Sequence, residues 1–204
     1  MSSSADTRFR ELMLRFSQEA DDARRAEMED LIWRDYGVER AVMIMDMSGF
    51  SLLTQRHGIV HYLSMITRMQ LTAAPVIKSH GGSVVKFDSD NCYAIFPDTL
   101  DAIRACIAMN FAFDAANILT EDDLDIRVAC GIDYGKLLMP HPNDFYGHCV
   151  NRASKLGEDI AEAGEILVGN KAMARVPAQS GIVSESTTYR VSGIEIEAYS
   201  IQYR

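Results

Sequence analysis

At 204 residues, the chain is long enough for one domain with a sizeable core and a short additional element. A composition of 48% hydrophobic and 24% charged residues is that of a soluble globular protein, and it excludes collagen, a coiled-coil rod and a wholly disordered chain. Twenty basic residues against 29 acidic ones give a net charge of −9, and no Lys/Arg-rich run stands out, so nucleic acid is not an expected partner.

Residues 5–36 contain neither glycine nor proline. Phe9, Leu12, Met13, Phe16, Ala20, Met28, Leu31 and Ile32 recur mostly at three- and four-residue steps, which predicts a helix with one apolar stripe. That stripe suits packing on the chain's own domain and packing on a partner chain equally well. Gly37 is expected to terminate the helix. Ala41 to Met45 is apolar without alternation, as in a strand covered on both faces. A helix is predicted over residues 59–77, ending near His80-Gly81-Gly82. Short strands over 83–87 and 92–96 follow, joined through Asp88-Ser89-Asp90 as a hairpin. A second helix is expected over 100–119, a strand over 124–132, a helix over 149–163, a strand over 165–168, and two strands within 181–203.

From residue 41 the order is therefore strand, helix, strand, strand, helix, strand, with a further helix and strands after it. That is an α+β fold with a ferredoxin-like antiparallel sheet. We divide the chain into an N-terminal helical segment, 1–38, and a main domain, 39–204. No apolar run approaches the ~20 residues that span a bilayer, and Met1 to Asp6 lack the basic and apolar regions of a signal peptide. No membrane partner and a cytoplasmic location are expected. Cys92, Cys106, Cys130 and Cys149 show no metal-ligand spacing and read as reduced, buried residues. The five histidines form no ligand set. The eleven methionines fall mostly at core spacings. The acidic run 121–125 lacks the glycine and distal glutamate of a calcium loop.

Chemistry concentrates at two carboxylates. Asp46 follows directly on the buried strand, where an unpaired charge is costly, and Asp90 opens the third strand. In a ferredoxin-like sheet those strands are antiparallel neighbours, so both carboxylates fall at one edge and suit a hard cation such as Mg²⁺. Two unrelated surface turns, each with a solvated aspartate, are the plainer reading of the same spacing. Ser48 to Leu53 is a small-residue turn entering a helix, where free N–H groups can hold phosphate oxygens.

Asp46-Met47-Ser48-Gly49-Phe50-Ser51 resembles the first signature of the class III adenylate/guanylate cyclase catalytic domain. Gly81-Gly82, Lys86, Asp90, Ala94 and Phe96 fall at the spacing of its second signature. Gly131-Ile132-Asp133-Tyr134-Gly135 is similar to its glycine-rich strand end. Asp144-Phe145-Tyr146-Gly147, Val150-Asn151 and Ala153-Ser154-Lys155-Leu156 are similar to its fourth motif. The likeness runs in order over about residues 40–204.

The resemblance implies that Asp46 and Asp90 bind two divalent cations, Mg²⁺ or Mn²⁺. It implies further that Lys86 and Asp144 read adenine, that Gly49 and Phe50 lie against the substrate, and that Asn151 orients the ribose. Lys155 stands where the family has a transition-state arginine, and Ser89 where it has a glycine before the second metal aspartate. A lysine common near the last hairpin is missing, with Arg190 the nearest cation. The expected reaction makes a 3′,5′-cyclic nucleotide and pyrophosphate from a nucleoside triphosphate, ATP favoured, in a head-to-tail homodimer. One alternative is a pyrimidine cyclase of bacterial anti-phage defence, making cyclic UMP or cyclic CMP. The other is a non-catalytic cyclase-like module that binds nucleotide and signals by dimerisation.

Overall fold

The computed structural model describes residues 4–49, 56–191 and 194–204. The apolar run 41–45 lies at the centre of β1 (Gly37–Met47), and all five of its residues are fully buried. Strand β3 (Asn91–Phe96) flanks β1 on one side and β4 (Val128–His141) on the other, both antiparallel to it, with Met43 opposite Ala94 and Ile132. Side chains emerge on both faces of a central strand and both faces are covered, which is why the sequence here shows no polar alternation.

The full order is β2 (Ser83–Asp88), β3, β1, β4, β6 (Ile166–Gly169), β8 (Ile194–Gln202) and β7 (Val183–Val191). A short β5 (Asp144–Tyr146) pairs with β4 alone. Every pairing is antiparallel except β4 with β6. The α+β expectation and the ferredoxin-like succession of the first four strands both hold.

Helices α3 (Ile59–Ser79) and α4 (Thr99–Asn117) cover one face. There Met43, Met45 and Met47 share a core with Met65, Met69 and Met109, none more than 1% exposed. On the opposite face Val42, Ile44 and Val85 pack under Leu137, Phe145, Cys149 and Ala153. That face is roofed by β5 and by α5 (His148–Ser154). All four cysteines are buried and unpaired. Among the described residues no helix is long and apolar enough to cross a membrane.

Some local expectations change. The first segment is two helices, α1 (Ser4–Gln18) and α2 (Asp22–Tyr36), because the Asp21 carboxylate accepts from the Arg24 N–H and starts a new helix. The pair folds back on itself, with Arg8 and Asp35 2.7 Å apart and the Phe9 and Tyr36 rings at 5.0 Å. Both helices lie against the chain's own sheet, one of the two packings the sequence leaves open. Gly37 does close α2, its N–H donating to the Trp33 carbonyl, and it does so in an extended conformation, φ −77° and ψ 133°. It is needed because a Cβ there would stand 2.2 Å from the Trp33 carbonyl oxygen.

The expected helix over 149–163 divides into α5 and a π-turn, Lys155–Ile160. The extra residue in that turn lays Gly157 flat on the sheet. A Cβ there would come within 2.6 Å of the Ile44 carbonyl oxygen and 2.8 Å of the Gly131 nitrogen.

Candidate active site

Asp46 occupies the last turn of the pleat in β1, opposite Asn91 on β3 and Ala129 on β4. Alternation places its side chain on the face of Val42 and Ile44, away from α3 and α4. The Met47 N–H donates to the Asp90 carbonyl at 3.2 Å, tying the strand end to the β2–β3 hairpin. Asp46 and Asp90 thus meet at one edge, as the antiparallel order requires. Ser89, at the hairpin tip, has φ 54°. A serine holds this left-handed conformation at a steric cost on the order of 1 kcal/mol.

The electrostatics of the edge are strained. Burial first, then the Asp90 charge, then Glu158 push the Asp46 carboxyl up to about 7, with the Met47 N–H only partly opposing them. The Tyr62 hydroxyl, on α3, is held in its protonated form first by burial and then by the neighbouring Asp90 carboxylate. Half-buried oxygen donors under mutual repulsion fit a hard divalent cation. Among the described residues no three His, Cys, Asp or Glu side chains converge as a metal cage. Two carboxylates, with water and phosphate oxygens completing the shell, is the arrangement Mg²⁺ ordinarily takes.

Lys86 and Asp144 also meet. Lys86 Nζ lies 3.3 Å from Asp144 Oδ1, both side chains somewhat over a third exposed. Lys86 reaches across from the edge strand β2, and Asp144 comes over the sheet on β5. Burial alone would raise the Asp144 carboxyl, but the Tyr146 hydroxyl, the Lys86 ammonium and the Phe145 N–H bring it below the ordinary carboxylate range. Donor and acceptor held side by side can read a complementary donor–acceptor edge on a ligand.

Asn151 and Lys155 stand apart from those pairs. They line a cavity of about 600 Å³ bounded by Thr188, Glu195 and Glu197, which Asp46 and Asp90 do not line. Lys155 Nζ lies 3.9 Å from Asp159 Oδ2, and Arg190 is ion-paired with Glu195 across the last hairpin. Gly49 has φ 94°, a conformation suited to glycine. Phe50, with the rest of the turn to Leu53, lies outside the described residues.

Two residues enter that sequence reasoning overlooked. The Tyr93 hydroxyl donates to Glu158 Oε1 at 3.0 Å, and Lys86 Nζ sits 5.2 Å from the Tyr93 ring centre. Tyr93 therefore links the Lys86–Asp144 pair to the carboxylate edge. Period-two spacing does put Tyr93 on that face, but Glu158 reaches it only through the π-turn.

A family model described as the adenylate and guanylate cyclase catalytic domain matches residues 38–203. The adenylyl cyclase CyaB from P. aeruginosa is similar in structure at TM-score 0.70 and 19% identity, over 82% of this chain and 96% of that one. The guanylyl cyclase Cya2 gives TM-score 0.70 at 16% identity, covering 81% and 92%. An adenylate/guanylate cyclase/hydrolase from Silicibacter pomeroyi gives 0.64 at 25%, covering 81% and 96%. Among curated proteins none matches the sequence. From the second residue of β1 through the end of β8, this chain belongs to the adenylate and guanylate cyclase catalytic-domain family.

Proposed function

We propose that the chain is a nucleotide cyclase converting a nucleoside triphosphate, ATP preferred, to its 3′,5′-cyclic nucleotide and pyrophosphate, with residues 39–204 as the catalytic unit. The observation that carries this reading is the charge-burdened Asp46–Asp90 edge, and the Lys86–Asp144 pair supplies the group that would read the base in the site completed by the partner copy. In the reaction the ribose 3′ oxygen attacks the α-phosphorus and pyrophosphate leaves. Divalent cations, Mg²⁺ or Mn²⁺, would lower the pKa of the 3′ hydroxyl and neutralise the triphosphate. Asp46 and Asp90 supply the anionic oxygens that hold them. Lys86 donates to, and Asp144 accepts from, the adenine edge, exchanging their mutual ion pair for bonds to the base. Asn151 orients the ribose, and Lys155 offsets charge developing on the phosphoryl oxygens as a point charge in place of a guanidinium fork.

Asn151 and Lys155 face a cavity that Asp46 and Asp90 do not line, which favours sites completed between two copies in a head-to-tail homodimer. Each site would take Asp46 and Asp90 from one copy and Lys86, Asp144, Asn151 and Lys155 from the other. Incubating the purified protein with each of the four NTPs and Mn²⁺, then identifying products by mass, tests the chemistry. Cyclic AMP is expected. Cyclic UMP or CMP would replace the adenine assignment with a pyrimidine one, and no product from any NTP would leave only a nucleotide-binding module. Mixing inactive Asp46→Ala and Asn151→Ala proteins tests the sharing. With exchange shown by tag pull-down, half the dimers are mixed and each carries one intact site, so roughly a quarter of wild-type activity should return. A mixture that stays inactive would refute the shared site.

A further inference from the structure

A second cavity, of about 480 Å³, lies behind α5 and contains none of the residues assigned above. Its walls come from Trp33 on α2, Lys136 on β4, Arg152 on α5, Lys171 on α6 (Asn170–Met173) and Arg175 just beyond. In a chain of net charge −9 these cations are concentrated in one place.

They are not all committed to the fold. Arg152 is: its Nε lies 3.1 Å from Asp133 Oδ2 and its Nη2 donates to Asn170 Oδ1 at 3.1 Å. Arg175 stacks on the Tyr134 ring at 3.8 Å, which leaves its charge without a carboxylate. Among the described residues Lys136 and Lys171 make no ion pair, and both are exposed. Setting the Arg152–Asp133 pair aside, three cations face a single acid, Glu39. The mouth therefore attracts an anion.

The floor offers no free charge. Asp133 is 1% exposed and its Oδ2 is paired with Arg152, while its buried Oδ1 fills the space a Cβ on Gly169 would take. Trp33 adds an indole surface on which a planar ring can lie. An anionic group and a flat ring within a volume inside the usual range of roughly 300–1,000 Å³ together describe a nucleotide.

We propose that this cavity is a binding site for a nucleoside monophosphate, with the phosphate at Lys136, Lys171 and Arg175 and the base against Trp33. The site contains none of the residues assigned to the reaction and does not depend on the function assigned to it. It shares His148 and Arg152 of α5 with the cavity that Asn151 and Lys155 line. Occupancy therefore bears on α5, which presents Asn151.

Trp33 is the only tryptophan in the chain and lines this cavity, so its fluorescence responds to a ligand bound there. The protein is titrated in EDTA with AMP, GMP, UMP and CMP and, separately, with inorganic phosphate, with absorbance correction. Equilibrium dialysis against the same compounds measures binding whether or not the fluorescence changes. At least one nucleotide should bind saturably, and the double variant Lys136→Gln, Lys171→Gln should weaken it by roughly tenfold or more through loss of charge-assisted contacts. Both lysines are exposed, and circular dichroism checks that the variant folds. Asp90→Asn should leave the binding unchanged. Absence of saturable binding for all four nucleotides would overturn the proposal. So would binding that survives in the lysine variant, binding lost in Asp90→Asn, or inorganic phosphate binding as tightly as any nucleotide.

Discussion

Replacing Asp46 by asparagine removes a charge while keeping the shape of the side chain. Burial, then Asp90, then Glu158 raise this carboxyl from 3.8 to about 7. A carboxyl with a higher pKa in the folded than in the unfolded state holds its proton more tightly when folded. Its penalty is absent below the unfolded value, grows as pH rises between the two values, and is complete above the folded one. The gap between 3.8 and about 7 corresponds to about 4 kcal/mol at full effect, and solvent screening of a half-buried group leaves about 2 kcal/mol. At 2–4 °C per kcal/mol for a domain of this size, Asp46→Asn in EDTA at about pH 8 should unfold roughly 4–8 °C above wild type. At about pH 4 the two proteins should converge. Adding Mn²⁺ at the higher pH should raise the wild-type midpoint more than the variant's, because only the wild type keeps both anionic donors. Scanning calorimetry reads all of these. A variant no more stable than wild type in EDTA, with a difference that does not change with pH, would refute the electrostatic account of this edge. Asp46→Asn should also abolish cyclisation, so stability and activity move in opposite directions.

Gly157→Ala should lower the unfolding midpoint by the equivalent of about 1–3 kcal/mol, since the new methyl meets backbone and not a movable side chain. Combining it with Gly131→Ala should cost less than the sum, because both substitutions disrupt one contact. Lys86→Glu should reduce kcat/KM for ATP more than for the other NTPs in competition assays, and an unchanged preference would move base recognition elsewhere. Lys155→Ala should slow turnover by about 10- to 1,000-fold while Lys155→Arg preserves or raises it, and a silent alanine variant would shift that role to another cation.

The order of strands and helices was legible because each element carries its own period. The unalternating run at 41–45 marked the strand with two covered faces. The approach of Asp46 to Asp90 followed from antiparallel neighbours and the register that sets Asp46 against Asn91. Other features lay beyond local pattern. The π-turn that delivers Glu158 to Tyr93 has no residue signature of its own, since it follows from how closely Gly157 and Gly131 approach across the sheet. The break between α1 and α2 depends on a cap at Asp21 within a stretch whose periodicity reads straight through. Ser89 carries no sign in sequence of the conformation it adopts. The buried Asp133–Arg152 pair joins residues 19 positions apart, each of which reads alone as an ordinary surface charge.

The methionines beneath the carboxylate edge give the core a chemical sensitivity as well as a packing. Met43, Met45, Met47, Met65, Met69 and Met109 are sealed between the sheet and two helices, so peroxide in solution cannot reach their sulfur atoms while the core is closed. Each sulfoxide formed would place a polar, bulkier group where only apolar volume is tolerated, and would prevent clean reclosure. The rate at which these six residues oxidise therefore counts how often this half of the molecule opens. A protein of this composition carries its own record of local unfolding, readable residue by residue in a mass spectrum.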